Sequence, residues 1–461
     1  MLNKFTLLGA IVFFILLTAC CNDIPFFWDG TFFSALSLHF YHNGFNGLIA
    51  PQPLDTGGFP LFSIYLTCIW KIFGKTISVS HLAMLPLLIA IVFEYYKLAR
   101  HYLSKTIIPF AMLLLLLEPT FITQATLMGY DLFLILFFLI SVNALLTRNL
   151  VIYSLSITLL CLCSIRGSFF ATSIFLLHIF NERKSFKQEL TAYLLPLVVM
   201  LTWIIYHHQK TGWYFFSPER ENTHEAILSI RMMIRQLLFT GWKIVDFGRL
   251  ILWIIIISVG FVIYKKGKLT KFKSLLSLIA IPLIVYAIFS IPFSNPIAHK
   301  YFVVIFLCLN IGICYILSQI ENRAMRNTLF SICCISLLSG NFWLYPERYG
   351  NGWDSSLKIL PFFKLKTEMD EYIMKNKIPP DEIGTQFPLI ADELFTNLCD
   401  SSYHYTNVWS GPISNFNYFL QSNVINTDIP EQIDDVKEHW ILLKHDRNGL
   451  VYLNLYKNPK K

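Results

Sequence analysis

Asp29, Asp55, Glu118 and Asp131 stand out in this sequence because each borders an apolar run that holds few other charges. A carboxylate at the lip of a membrane helix is expensive to keep there, so it invites a functional reading. Asp29 lies in Phe26-Phe27-Trp28-Asp29-Gly30, whose aromatic residues would desolvate the carboxylate and suit it to accepting a proton. Its structural alternative is an N-cap for a helix over Thr31–Tyr41. Asp55 precedes Thr56-Gly57-Gly58-Phe59-Pro60, where glycine permits a tight turn and proline opens a helix, so a plain turn aspartate is its alternative. Glu118-Pro119 and Asp131 bracket one connection between apolar runs, and Asp131 could simply cap the helix that it opens.

The matching cations are as sparse. Arg166 falls between two short apolar runs and needs a carboxylate or an anionic ligand such as a phosphate. His299-Lys300-Tyr301 opens another run, where snorkelling to the interface is the structural alternative. Arg220, His224, Arg231 and Arg235 fall near helical spacing and could meet lipid headgroups or a phosphate. Acids and cations at one membrane face suit a lipid-phosphate substrate whose tail stays in the bilayer. A carboxylate would deprotonate an acceptor hydroxyl while cations stabilise the departing phosphate. Transport and a purely structural role remain open on the same residues.

The elements that must position these groups follow from composition. The chain of 461 residues is 55% hydrophobic and 14% charged, with mean hydropathy +0.54. A soluble protein carries about 25% charged residues, so an α-helical polytopic membrane protein is expected. The formal charge of +8 sits in short clusters between apolar runs, which are topological signals and predict no nucleic-acid partner. Cys161, Cys163, Cys308, Cys314, Cys333 and Cys334 lie inside apolar runs without the spacing of a metal site. Leu17-Thr18-Ala19-Cys20 has the form of a lipoprotein cleavage box, but the run before it is long enough to serve as an uncleaved first span.

Candidate spans are Phe5–Cys20, Val79–Tyr96, Thr106–Ile122, Asp131–Thr147, Val151–Ile165, Ser168–Phe180, Leu190–Tyr206, Phe247–Tyr264, Leu275–Ile291, Lys300–Gln319 and Thr328–Tyr345. Pro60–Phe73 is ambiguous, and charge decides it. If it does not cross, Lys97–Lys105, Arg148, Asn181–Gln188, Lys265–Lys273 and Glu321–Arg326 all fall on the side of Lys4. The positive-inside rule therefore predicts about 11 spans with interfacial helices in the first outer loop, residues 21–78. That loop, His207–Asp246, Pro292–His299 and the C-terminus then face outward. After a transmembrane domain of residues 1–345, residues 346–461 have dense charge and turn signals. They predict a small extracytoplasmic α/β domain with a helix over Lys364–Asn376, a strand over Glu382–Phe387, and a hairpin through Asn448-Gly449. The absence of a glycine-rich nucleotide loop argues against a cytoplasmic enzyme that uses ATP or a nucleotide sugar.

This pattern resembles the GT-C superfamily of polyprenyl-phosphate-sugar glycosyltransferases, in particular the protein O-mannosyltransferases and lipid A aminoarabinose transferases. Trp28-Asp29 matches the family's loop aspartate, and Phe59-Pro60-Leu61-Phe62 through Trp70-Lys71-Ile72-Phe73-Gly74 matches its next aromatic helix. Glu118-Pro119 with Gln124 and Asp131, Ile165-Arg166-Gly167, and Lys300-Tyr301 follow in the family's order, so the likeness runs from Met1 to Tyr345. Gly58-Phe59 stands where relatives often have His-Pro, and Gly30 stands where they have a second acid.

The resemblance implies a hexosyltransferase at the outer face of the cytoplasmic membrane. Its donor would be a sugar linked to a polyprenyl phosphate, and its acceptor a hydroxyl of a lipid, glycan or protein. Asp29 would be the general base of an inverting transfer; Arg166, Lys300 and, more weakly, His299 would neutralise the phosphate, with Tyr301 beside them. Asp55 and Asp131 would orient sugar or acceptor, or hold a divalent cation. The alternatives are a flippase for lipid-linked saccharides and a polysaccharide polymerase or ligase reading a diphosphate donor.

Overall fold

The computed structural model describes residues 2–181, 190–214, 217, 226–265, 270–295, 297–347, 349–400, 402–410, 412–425 and 430–461. The apolar runs fold as helices because only intra-segment hydrogen bonding satisfies the backbone in lipid. They are α1 (Leu2–Cys20), α4 (Ile77–Tyr102), α5 (Ile108–Leu117), α6 (Pro119–Thr126), α7 (Asp131–Leu146), α8 (Leu150–Cys163), α9 (Ile165–Asn181), α10 (Leu194–Thr211), α11 (Ile230–Val245), α12 (Arg249–Lys265), α13 (Thr270–Ser290), α14 (Val303–Ser318) and α15 (Arg323–Ser339). Among the described residues, four helical segments are long and apolar enough to cross a membrane, or six if each of two bent pairs is one span. The remaining apolar helices are shorter. Large apolar side chains such as Leu16, Ile257, Phe261, Ile288 and Leu338 face outward. A surface of that kind is at home in lipid, and the chain is a multi-pass membrane protein.

At the centre is α14, buried on every side from Val303 to Leu317, as a helix apolar all round must be. The connection after α4 meets α13 through Tyr102 and Ser274, whose hydroxyls are 3.1 Å apart. Ile107, Leu317 and Arg326 line one recess at this same end. The connections around Lys97–Lys105, Ser274 and Arg326 thus gather at one end of the bundle, and Asp29, Asp131, Arg166 and Lys300 at the other; residues 182–188 of the basic connection Asn181–Gln188 and residues 266–269 of Lys265–Lys273 lie outside the described residues.

In three places the chain departs from straight spans. The run over Thr106–Ile122 is not one helix: Pro119 cannot donate to the preceding turn and pushes Glu118 into an extended conformation (φ −70°, ψ 110°), so α6 leaves α5 at 60°. Next, α11 meets α12 at 89°, turning on Phe247 (φ 52°) and Gly248 (φ 83°). Gly248 lies so close to the Ser336 carbonyl that any Cβ would collide with it.

The first loop carries the third departure in α2 (Asp29–Asn43) and α3 (Leu61–Phe73), which pack side by side. Thr67 donates to the Ser37 carbonyl (2.9 Å) and Ser63 to that of Phe33 (3.3 Å). At its start α3 touches Phe133 through Phe62, and near its end Trp70 donates to Ser80 (2.8 Å) in the first turn of α4. Its 13 residues reach about 20 Å at 1.5 Å per residue. Its start thus meets the opening turn of α7 and its end the opening turn of α4.

The C-terminal part forms a five-stranded sheet in the order β2-β1-β3-β5-β4, from β1 (Ile383–Thr385), β2 (Thr406–Asn407), β3 (Tyr418–Ser422), β4 (Ile441–Asn448) and β5 (Val451–Lys457). The last two pair as the expected hairpin, and the expected helix is α16 (Leu360–Lys375). Short α17 (Glu393–Thr396) and α18 (Pro430–His439) complete it. Its core of Ile359, Phe362, Met369, Phe419, Leu453 and Leu455 also takes in Phe27 and Leu127 from the helical part. Fully burying one such side chain is worth about 1.5–3 kcal/mol, so Phe27 seats the loop of Asp29 on this unit.

Candidate functional site

Asp29 is the first residue of α2 and not its N-cap, contrary to the capping alternative. The cap position falls to Trp28, which has φ 55° and no side-chain cap bond. A positive φ at a bulky residue persists only where packing enforces it. Here the Trp28 ring lies 5.0 Å from that of Phe387, and the Phe27 ring 5.5 Å from that of Phe363. The backbone is clamped on both sides: Phe26 N donates to the Thr396 carbonyl (2.9 Å) and Ser34 to that of Phe395 (2.5 Å).

The Asp29 carboxylate meets Lys300. Lys300 Nζ is 2.8 Å from Asp29 Oδ2 and 2.8 Å from Asp354 Oδ2. Side-chain exposure separates the three groups, at 39% for Asp29 but only 4% for Lys300 and 6% for Asp354. Lys300 enters through the 3₁₀ turn His299–Phe302 that leads into α14. A helix N-terminus is the wrong place for a cation, and the paired acids offset that cost. Asp354 stands in the turn Trp353–Ser355, pinned by Gln124 to the Asp354 carbonyl (2.6 Å), Thr120 to the Ser355 carbonyl (3.3 Å) and Trp353 Nε1 to the Asn423 carbonyl (3.0 Å). Burial alone would push the Asp354 carboxyl upward, but the Lys300 ammonium outweighs it and holds the group below the ordinary carboxylate range.

Arg166 pairs with Asp131, Nη1 to Oδ1 at 2.9 Å, with both side chains buried. Its guanidinium carbon is 3.9 Å from the ring centroid of Tyr301 and 5.0 Å from that of Tyr130. Nη2 is buried without a hydrogen-bond partner. Gly167, beside it, allows α9 to pass so close to the Leu160 carbonyl that a Cβ would collide. Asp131 opens α7 and, like Asp29, faces a cation rather than capping its helix. Asp29, Gln124, Gly129, Tyr130, Asp131, Lys300 and Asp354 line one small cleft with Phe27 and Trp28.

Other expected site residues go elsewhere. His299 stacks on Phe247 (4.4 Å between ring centroids) and pairs through Nε2 with Asp246 Oδ2 at 2.7 Å, so it faces away from Lys300. Asp55 is buried against His207, Oδ2 to Nε2 at 2.9 Å, and does not line the cleft. Glu118 pairs with Arg249 and accepts from Phe121 N (2.6 Å), capping α6. Arg231 and Arg235 are exposed on α11, while Arg220 and His224 lie outside the described residues.

Sequence reasoning missed Asp354, Arg249, Asp246 and His207. Asp354 carried a signal, since Trp353-Asp354 repeats the aromatic-acid pair of Trp28-Asp29. Arg249 was hidden one turn inside an apolar run. Among the described residues no three His, Cys, Asp or Glu side chains converge, and Lys300 lies between Asp29 and Asp354.

The fold is similar to two solved structures, both of ArnT from Cupriavidus metallidurans. With the form bound to undecaprenyl phosphate the TM-score is 0.52 at 11% identity, covering 97% of this chain and 98% of that one. With the apo form it is 0.51 at 12% identity with the same coverage. No family model and no curated protein sequence matches. The fold is thus shared with these structures over nearly the whole chain, including the C-terminal unit.

Proposed function

We propose that this chain is a GT-C glycosyltransferase that moves a sugar from a polyprenyl-phosphate donor to an acceptor hydroxyl, inverting the anomeric carbon, at the outer face of the cytoplasmic membrane. The carrying observation is that Asp29 presents a partly exposed carboxylate to the cleft while its partners Lys300 and Asp354 are buried behind it. A likeness of fold to a protein crystallised with undecaprenyl phosphate supports the donor class. The basic connections at the opposite end of the bundle support an outward-facing cleft.

In this reading Asp29 takes the proton of the acceptor hydroxyl. The acceptor oxygen forms a bond to the anomeric carbon as the bond from that carbon to the phosphate oxygen breaks. The electron pair leaves on the phosphate, where the Lys300 ammonium and the free Nη2 edge of Arg166 stabilise it. Asp131 keeps Arg166 oriented, and the rings of Tyr301 and Tyr130 hold the guanidinium flat.

The test is transfer of label from undecaprenyl-phosphate sugars by the full-length protein in proteoliposomes. Asp29→Asn should lose about 10²–10⁴-fold in rate, the usual contribution of a general base. Full transfer by that variant, or transfer from diphosphate-linked donors alone, would overturn the proposal.

A further inference from the structure

We propose that Asp354 is a positioning residue for this transfer: it shares Lys300 with Asp29, so the ammonium stays in place and charge-balanced once Asp29 has taken its proton. The inference rests on the reading of Asp29 as base. It also makes the active site incomplete without the C-terminal unit, which supplies Asp354.

Lys300 has three N–H donors. Its ammonium forms an ion pair at 2.8 Å with Asp29 Oδ2 and another at 2.8 Å with Asp354 Oδ2, so both carboxylates answer its charge. Before reaction Asp29, Lys300 and Asp354 together carry one net negative charge. When the acceptor proton arrives on Asp29, its attraction for Lys300 is lost. Without Asp354 the ammonium would then be buried, unpaired and at the positive end of α14, a costly arrangement. With Asp354 it remains neutralised and aimed at the departing phosphate.

The groups that face this trio are few. Asp131 comes from α7 with Arg166 of α9 behind it, and Tyr301 comes from the same turn as Lys300. His299 and, from α11, Lys243 act on Asp354. None of them takes the place of Asp354 between Lys300 and the sheet. The turn of Asp354 is anchored to its surroundings by Gln124, Thr120 and Trp353 Nε1 through backbone carbonyls, while its carboxylate accepts from Ser355 Oγ within the turn (3.1 Å), a bond that asparagine keeps. Asp354→Asn therefore removes charge while leaving the anchorage of the turn.

The experiment uses the full-length protein in nanodiscs. In Asp354→Asn, Asp29 alone answers the whole charge of Lys300 and becomes a weaker base. Its kcat should fall about tenfold while the donor KM changes little, and the acid limb of the kcat profile should move to lower pH. Asp354→Glu should restore both. Independently of turnover, carbodiimide labelling of Asp29, followed by peptide mass spectrometry against pH, should shift the same way. Asp354→Ser repeats the measurement should asparagine disturb folding. A folded Asp354 variant with unmoved labelling and pH profile overturns the proposal and leaves the transferase reading intact. A shifted labelling profile in a wild-type chain that transfers no sugar supports the coupling and defeats the transferase reading instead.

Discussion

Arg249 and Glu118 meet where two helices break, with side chains only 1% and 0% exposed. Glu118 sits at the kink between α5 and α6, and Arg249 opens α12 after its sharp bend from α11. The guanidinium also donates to Thr120 (2.6 Å) and lies 3.6 Å from the ring centroid of Phe306. Thr120 in turn holds the Asp354 turn, so this pair supports the site from beneath.

Removing one partner of such a pair strands a buried charge and costs about 3–5 kcal/mol. Glu118→Leu and Arg249→Leu should each lower stability by that order in detergent unfolding, and the double variant should lose less than the sum. Strictly additive losses would show that the two side chains do not interact.

Asp55 tests whether a buried acid in the first loop takes part in chemistry. It accepts from Gly57 N (2.9 Å) and pairs with His207, while Trp203 donates to the Gly57 carbonyl (3.0 Å), so its contacts tie the loop to α10. Asp55→Asn should lower thermal stability and retain transfer within about tenfold of wild type, against the 10²–10⁴ expected for losing a base. A loss as deep as that of Asp29→Asn would place Asp55 in the reaction.

The pH dependence of the C-terminal unit follows from Asp354. Its folded carboxyl lies below the ordinary value, because Lys300 more than reverses the upward push of burial. An acid lowered on folding binds its proton more readily unfolded, so its stabilisation is complete above about pH 4 and is lost as pH falls through the folded value. Hydrogen exchange of the backbone over residues 349–360, corrected for intrinsic rates, should stay flat from neutral pH downward and quicken only in acid. The step should vanish in Asp354→Asn. Quickening between pH 5 and 8 would contradict this assignment.

Gly352 is a position in the Asp354 turn where no side chain fits. It has φ +60°, and a Cβ there would lie 2.5 Å from His299 Nδ1. Gly352→Ala should cost about 1–3 kcal/mol and loosen the turn that presents Asp354. The melting temperature and the Asp29 labelling profile would both move, and an unchanged melting temperature would contradict the packing described.

Much of the site was legible because its residues violate their surroundings. Asp29, Asp131, Arg166 and Lys300 border apolar runs where charge is costly, and the charges of the connecting segments placed all four at one end. Partners were not legible. Asp131, not Asp29, takes Arg166, and His299 turns to Asp246 although it adjoins Lys300. The run over Thr106–Ile122 reads as one span, and its 60° bend at Pro119 and the use of α6 to hold Asp354 required packing against distant turns.

The sequence by itself determined the apolar helices and the C-terminal hairpin, because hydropathy and turn chemistry act over a few residues. Only the tertiary structure decided that Lys300 stands between Asp29 and Asp354, which enter from opposite ends of the chain. Coulomb energy depends on ångströms and on the water excluded between charges, and neither is set until distant segments have packed.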